Sequence, residues 1–319
     1  MNELLTKSNL LIRSNRPLDN PNSVISTFRR NNFLQLTFQT SGCRYSSMGT
    51  CTMCNYGKGI SFDSETILKE LEKICTSEEF YKSEMILLGA SGSFLDDVEL
   101  SAEIQYQIME RISQTHIKEI FIETHYKSVS IHKLEKIRSI FPTSHINIEM
   151  GLETITEDYQ NNILNKNISP LELKKVIDLI HAYNMEVSLN LLLGMPFLTP
   201  QEQLADTKKS IFWALDNGAD YVVVFPINIQ PYTVFEWWYS RGYISITSPW
   251  LLFTLLLQIP EEKLDSICLA WYGNRCIEYS SERKTQITYA CPQCQSELVT
   301  FFEDLTTNYD IEYRKEKIH

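Results

Sequence analysis

The sequence lacks any apolar run long enough to cross a membrane. A spanning helix needs roughly 18 or more apolar residues, and the longest candidate, residues 250–258, falls well short of that length. The N-terminal stretch MNELLTKSNLLIRSNR is too polar for a secretory signal, so we expect a cytoplasmic protein with no membrane partner. No basic run exceeds three residues, and 29 Lys and Arg against 40 Asp and Glu give a formal charge of −11. Composition therefore shows no footprint for nucleic acid.

Apolar, β-rich runs alternate with amphipathic helical stretches from about residue 33 onward. The predicted strands are 33–38, 84–88, 119–123, 146–151, 187–194 and 221–226. This alternation predicts an α/β fold with parallel strands and helices outside them. Six units do not complete an eight-stranded barrel, so we expect a partial (β/α)6 TIM-like barrel. An open doubly wound sheet fits the same periodicity, and either fold binds ligands at the C-terminal ends of its strands.

The pattern divides the chain into three regions. Residues 1–30 read as a polar N-terminal lead-in, residues 31–230 as the barrel, and residues 231–319 as a C-terminal extension. The extension is small, cysteine-bearing and rich in aromatic residues near its start. Its segment YTVFEWWYSRGY is interpreted as the packing face of a helix over the barrel, with a substrate pocket lining as the alternative.

Three cysteines follow the first predicted strand, in the stretch SGCRYSSMGTCTMCNYG at residues 41–57. A disulfide between two of Cys43, Cys51 and Cys54 leaves the third over, in a reducing compartment. A structural zinc ion takes four closed ligands, and no fourth Cys or His lies nearby. A [4Fe–4S] cluster on three thiolates leaves one iron free for another ligand. The pattern favours the cluster, with zinc and incidental buried cysteines as alternatives.

These cysteines, and further motifs in the same order along the chain, resemble those of the radical S-adenosylmethionine (SAM) enzymes. In that family three cysteines of this loop hold a [4Fe–4S] cluster, and the free iron chelates the amino and carboxylate groups of SAM. The usual separations are three and then two residues, whereas here they are seven and then two. The resemblance covers roughly residues 33–230. It implies reductive cleavage of SAM to a 5′-deoxyadenosyl radical, which removes a hydrogen atom from the substrate.

The same resemblance implies roles for polar residues at the strand ends. The segment GASGSFLDD approaches the SAM amino group, GLET meets the ribose hydroxyls, and NLLLGMP reaches the ribose and adenine. Taken singly, a Glu or Lys at such a position is more often a solvated charge. The implied SAM-binding set is Gly89, Ser91, Gly92, Glu123, Glu153, Lys166 and Asn190. His125 is a candidate substrate contact, and no side chain is assigned as catalytic, because the cofactor carries the chemistry.

A second cysteine group lies in the C-terminal extension, within CLAWYGNRC and CPQC. Cys268, Cys276, Cys291 and Cys294 suit a four-thiolate zinc site that closes a small appendage. An auxiliary iron–sulfur cluster and free thiols are the alternatives. The remaining cysteine, Cys75, lies on an amphipathic helix and is expected to be part of the core.

We therefore expect a radical SAM enzyme, of lyase or oxidoreductase type, acting on a small organic molecule in a biosynthetic pathway. A reducing protein such as flavodoxin or ferredoxin is the expected electron donor. Within the family, SGSFLDD, GLET and INIQPYTVFEWWYSRG resemble the archaeosine-forming radical SAM lyases, archaeal enzymes that act on a lysine-bearing 7-deazaguanine in tRNA. That modification is the alternative function, and the net charge disfavours nucleic acid as a partner. The alternative of another class is a non-catalytic zinc-binding scaffold.

Overall fold

A single eight-stranded sheet runs through the computed structural model, which describes residues 2–18, 23–56, 58–270 and 285–307. All six predicted strands are present, within two residues of their predicted bounds, as β2 to β7. The strands are β1 (Ile25–Arg30), β2 (Phe33–Phe38), β3 (Met85–Ala90), β4 (Glu119–Thr124), β5 (His145–Glu153), β6 (Glu186–Leu193), β7 (Tyr221–Pro226) and β8 (Ile267–Leu269).

The strands lie side by side in chain order, from β1 to β8. The first pair is antiparallel and every later pair is parallel. In a doubly wound sheet the order reverses near the middle, and helices then cover both faces. Here the order never reverses, so right-handed crossovers place the connecting helices on one face. The partial TIM-like barrel is confirmed over the doubly wound alternative.

The helices between the strands follow the predicted alternation. They are α1 (Glu3–Ser14), α2 (Arg44–Ser47), α3 (Ser64–Cys75), α4 (Glu78–Tyr81), α5 (Ala102–Ser113), α6 (Ile131–Ile140), α7 (Glu157–Asn162), α8 (Pro170–Ala182), α9 (Pro200–Asp216), α10 (Val234–Ser240), α11 (Trp250–Leu256), α12 (Glu261–Leu264) and α13 (Pro292–Thr307). Helix α9 shows why the boundaries were readable. Thr199 and Glu202 form a capping box at its start, and Gly218 beyond its end has a φ of +94°.

The main core lies between the sheet and the helices. In β2, Leu34, Leu36 and Phe38 are fully buried in this core, while Gln35 and Thr37 alternate onto the opposite face. Because the helices occupy one side, this opposite face is the concave interior of the barrel. Cys75 is buried in the core, as expected.

The structure adds two strands to those that the sequence predicted. Strand β1 lies inside the predicted lead-in and pairs with β2 along its full length, and the three-residue β8 extends the sheet beyond β7. The aromatic segment forms α10, whose Phe235 is fully buried and whose Trp238 packs in a second apolar cluster with Met53. Its packing role is therefore the one seen. Among the described residues no helix has the length and apolar character to cross a membrane.

Candidate functional site

The loop that carries Cys43, Cys51 and Cys54 begins five residues after β2, at the C-terminal edge of the sheet. It is held on several sides. Thr52 donates its backbone N–H to Leu164 O over 2.9 Å, and Asn55 donates its amide to Pro231 O over 2.7 Å. The loop is thus attached both to the segment before Lys166 and to the segment after β7.

The three thiols share one environment with two cations. Burial raises the pKa of Cys43 to about 12. Cys54 donates a hydrogen bond to Cys51, which lowers the pKa of Cys51 and raises that of Cys54, and the positive charges of Lys166 and Arg13 lower the pKa of Cys51 further. The pair therefore stabilises one thiolate, while the other two thiols stay protonated until a metal replaces their protons.

Gly92 packs directly against the first cysteine. A Cβ atom at this position would lie 2.4 Å from Cys43 Cβ and 2.4 Å from Glu99 Oε1. Glu99 is buried behind the loop and accepts a hydrogen bond from Thr40 Oγ1 over 3.0 Å. Burial raises the pKa of its carboxyl to about 7. Gly92 thus has a close-approach role toward Cys43, beside the SAM role that the sequence implied.

Lys166 and Glu153 form a buried ion pair at the end of β5. Lys166 Nζ lies 2.6 Å from Glu153 Oε1 and donates to Gly151 O over 3.0 Å. Glu153 sits at a bulge with a φ of +66°, and a Cβ on Gly151 would be only 2.6 Å from the ammonium. Burial opposes ionisation of Lys166, but the Glu153 carboxylate and Cys51 raise its pKa, so it stays charged. The structure brings these two predicted residues together.

Gly89, Ser91 and Glu123 lie along the first two strand ends. The Glu123 carboxylate rests against Gly89, where a Cβ would lie 3.2 Å from Oε2. Ser91 Oγ accepts a hydrogen bond from Thr40 N over 3.2 Å, which ties the glycine-rich segment to the chain that leads into the cysteine loop. These three residues occupy the same rim as the cysteines.

Asn190 is on β6 and its amide donates to Glu149 Oε1 over 2.8 Å. Its own Oδ1 has no hydrogen-bond partner, and neither side-chain polar atom of the buried Asn147 has one. Glu149 and Asn147 were not predicted as site residues. They were missed because a polar residue inside a strand carries no signal of which face it occupies, although alternation with Ile146 and Ile148 would have indicated it.

His125 stacks on Tyr45, two residues after Cys43, with a centroid separation of 4.0 Å. Burial lowers the pKa of His125 to about 3, and surrounding cations act in the same direction. The imidazole is therefore neutral at physiological pH. It lies at the rim, as expected, and its assignment as a substrate contact stays a prediction.

The C-terminal cysteines are partly described. Cys291 and Cys294 hydrogen-bond to each other at the start of α13, and Cys268 lies on β8 in register with Val223. Cys276 falls outside the described residues. Within the described ranges, no three His, Cys, Asp or Glu side chains are grouped to hold a metal ion. Zinc or a second cluster at these cysteines therefore stays a prediction.

A [4Fe–4S] cluster fits the chemistry of the N-terminal donor set. Each thiolate of such a cluster binds a different iron, so its ligands need not converge on one point as they do around a single ion. The donors are soft thiols, which suit iron–sulfur clusters. The buried guanidinium of Arg13 and ammonium of Lys166 face them and offset negative charge that a cluster would bring.

Comparison with known proteins agrees with this donor set. Residues 38–208, more than half of the chain, match the model of the Radical SAM superfamily. The chain belongs to the radical SAM superfamily. That family is built around a [4Fe–4S] cluster and SAM, so both are implied for this member.

Similar radical SAM proteins and related sequences come from archaea. An uncharacterized protein of Methanocaldococcus jannaschii is 24% identical over 87% of this chain and 77% of its own length. Archaeosine synthase subunit beta of Thermococcus kodakarensis is 30% identical over 68% of each chain. Among solved structures, methylornithine synthase superposes with a TM-score of 0.54 over 84% of this chain and 71% of its own, at 14% identity. The last likeness supports the fold alone.

Proposed function

We propose that this protein is a [4Fe–4S]-dependent enzyme that cleaves SAM reductively and removes a hydrogen atom from a small organic substrate in a biosynthetic pathway. The observation that carries this is the set of three thiols, Cys43, Cys51 and Cys54, facing two buried cations at the C-terminal edge of a radical SAM barrel. A non-catalytic zinc-binding scaffold gains no support from the described residues.

Cys43, Cys51 and Cys54 would hold the cluster, which supplies the single electron that cleaves SAM. The other roles belong to the chain itself. Gly89 and Gly92 leave room for a ligand backbone to approach, and the Lys166–Glu153 pair presents a fixed cation and carboxylate at the end of β5. In this proposal Lys166 meets the SAM carboxylate and Glu153 the ribose hydroxyls. Burial of these groups makes each polar contact stronger than it is in water.

The reductive reaction itself is the direct test of this function. Anaerobically purified protein is expected to be brown and, with a strong reductant, to convert SAM to 5′-deoxyadenosine and methionine, both measured by chromatography. A colourless protein that contains only zinc and leaves SAM intact would refute the proposal in favour of the scaffold. A reducing protein of the flavodoxin or ferredoxin class is expected to replace the chemical reductant.

A second candidate is the archaeosine-type modification of a 7-deazaguanine in tRNA, by a radical SAM lyase. It is favoured by the identity to archaeosine synthase subunit beta and disfavoured by the net charge of −11. Gel shifts of the protein with tRNA at several salt concentrations separate the two. Binding that weakens steeply with salt supports the tRNA candidate, and no binding at low salt supports the small substrate.

Glu153→Ala is expected to weaken SAM binding by at least about tenfold. Loss of hydrogen bonds to the ribose costs about 1–2 kcal/mol, and tenfold corresponds to about 1.4 kcal/mol. The measurement is the Kd for SAM on reconstituted protein. Glu119→Ala is the control, because this exposed carboxylate lies at the opposite end of the neighbouring strand β4. Equal affinities for wild type and Glu153→Ala would remove Glu153 from the SAM site.

A further inference from the structure

Arg13, in the N-terminal helix α1, is buried at 6% exposure, in the region whose sequence reads as a polar lead-in. Its two terminal nitrogens donate to four backbone carbonyls of the cysteine loop. Nη1 donates to Thr50 O over 2.9 Å and to Ser46 O, and Nη2 donates to the carbonyls of Cys51 and Cys54. Every hydrogen on both nitrogens is therefore used on this one loop.

Helix α1 makes further contacts with the same part of the molecule. Asn9 donates its amide to Gly49 O over 2.9 Å. Asn165, the residue before Lys166, donates to Thr6 Oγ1 over 3.0 Å and accepts from Asn2 N over 2.8 Å. Residues 2–14 therefore join the cysteine loop to the segment that carries the SAM-facing lysine. We call them the N-terminal brace.

We propose that the N-terminal brace, through Arg13, is a positioning device that holds the cysteine loop in its cluster-binding shape before any cluster is present. This inference deepens the proposed function and rests on it for the purpose of the loop. The helix lies outside the stretch that matches the family model, which begins at residue 38. Its role is thus assigned from this chain's own contacts.

Two physical arguments support the role of Arg13. Cys51 has a φ of +56°, a left-handed conformation that costs a non-glycine residue roughly 1–2 kcal/mol, so something must hold it. The bond from Arg13 to Cys51 O is placed to do so. A buried guanidinium is also costly unless its donors are satisfied, and only a loop in this one shape presents four carbonyls to it. The loop and the arginine therefore stabilise each other.

The charge of Arg13 has a second effect. Among the described side chains Arg13 has no ion-pair partner, and its positive charge already lowers the pKa of Cys51. A cation beside an iron–sulfur cluster favours the reduced form, since reduction adds negative charge. We therefore expect Arg13 to raise the reduction potential of the bound cluster.

The test compares full-length wild type, Arg13→Lys, Arg13→Gln and the control Lys7→Gln. Lysine keeps the charge but presents its donors from one nitrogen, so it cannot span four carbonyls. Lys7 lies on the exposed face of the same helix and pairs only with Glu3. In iron-free protein, amide hydrogen exchange of residues 43–55 is expected to be at least about tenfold faster in both Arg13 variants, a loss of about 1.4 kcal/mol. Exchange in β5 and β6 and in Lys7→Gln is expected to match wild type.

After cluster reconstitution, both Arg13 variants are expected to hold less iron per chain. Arg13→Gln is expected to show a more negative midpoint potential, and Arg13→Lys to lie between it and wild type. Wild-type exchange in the loop of both variants, or equal loosening in Lys7→Gln, overturns the proposal. If Arg13→Gln loosens the whole chain, Arg13→Lys decides: loosening confined to the loop supports the brace, and any other pattern refutes it. Failure of wild type to cleave SAM would refute the proposed function and leave this exchange result standing.

Discussion

Replacement of Cys43, Cys51 and Cys54 by alanine is expected to remove about four irons per chain and to abolish reductive cleavage of SAM. The reason is that these three thiols are the donors at the C-terminal edge of the barrel. Iron and zinc are measured by elemental analysis and SAM cleavage by the release of 5′-deoxyadenosine. Retention of SAM cleavage in the triple variant would show that the cluster assignment is wrong.

The control for this experiment is Cys75→Ala, which removes a thiol from the core without touching the loop. It is expected to keep its iron and its SAM cleavage. The same elemental analysis bears on the C-terminal cysteines. If they hold zinc, about one zinc per chain remains in the triple variant, whereas an auxiliary cluster leaves about four irons instead.

Gly92→Ala is expected to lower the iron content and to slow SAM cleavage by about a hundredfold, the loss typical of a misplacement of about 1 Å in a reacting group. The added Cβ would lie 2.7 Å from Cys43 Cα as well as 2.4 Å from Cys43 Cβ. A clash with backbone cannot be relieved by rotating a side chain, so Cys43 itself must shift. The measurements are iron per chain, SAM cleavage rate and thermal unfolding.

Gly242→Ala is the matched control for a destabilising glycine substitution. Its φ of +72° makes alanine unfavourable by about 1–2 kcal/mol, but no atom lies within 4 Å of the added Cβ. It is expected to lower the thermal unfolding temperature without changing iron or SAM cleavage. Wild-type iron and activity in Gly92→Ala would contradict the close-approach role of Gly92.

The strands of the barrel were predictable because their apolar residues are continuous and bounded by helix signals. Strand β6, with the sequence EVSLNLLL, is buried along nearly all of its length, and such a run has one favourable place in an α/β fold. Strand β1, with the sequence ISTFRR, carries two arginines and is exposed at its second and third residues. A short, polar edge strand resembles a loop in sequence, which is why it was read as part of the lead-in.

The site was predictable in its residue types and less so in its contacts. Lys166 and Glu153 were each identified at strand ends, but the ion pair between them depends on the bulge at Gly151 and on the left-handed turn at Glu153. Arg13 was not identified at all. Its partners are backbone carbonyls 33 to 41 residues away, and a carbonyl has no sequence signature.

The attachments of the cysteine loop also set an order on biosynthesis. The loop is bonded to Arg13 across 38 residues, to Ile163 across 111 and, through Asn55, to Gln230 across 175, and Phe235 N donates to Thr52 O over 3.3 Å. A chain emerging from the ribosome presents the three thiols early, but the last of these partners only after nearly three quarters of translation. The nascent loop is thus incompletely supported for most of synthesis, and iron delivery to it belongs after release of the finished polypeptide.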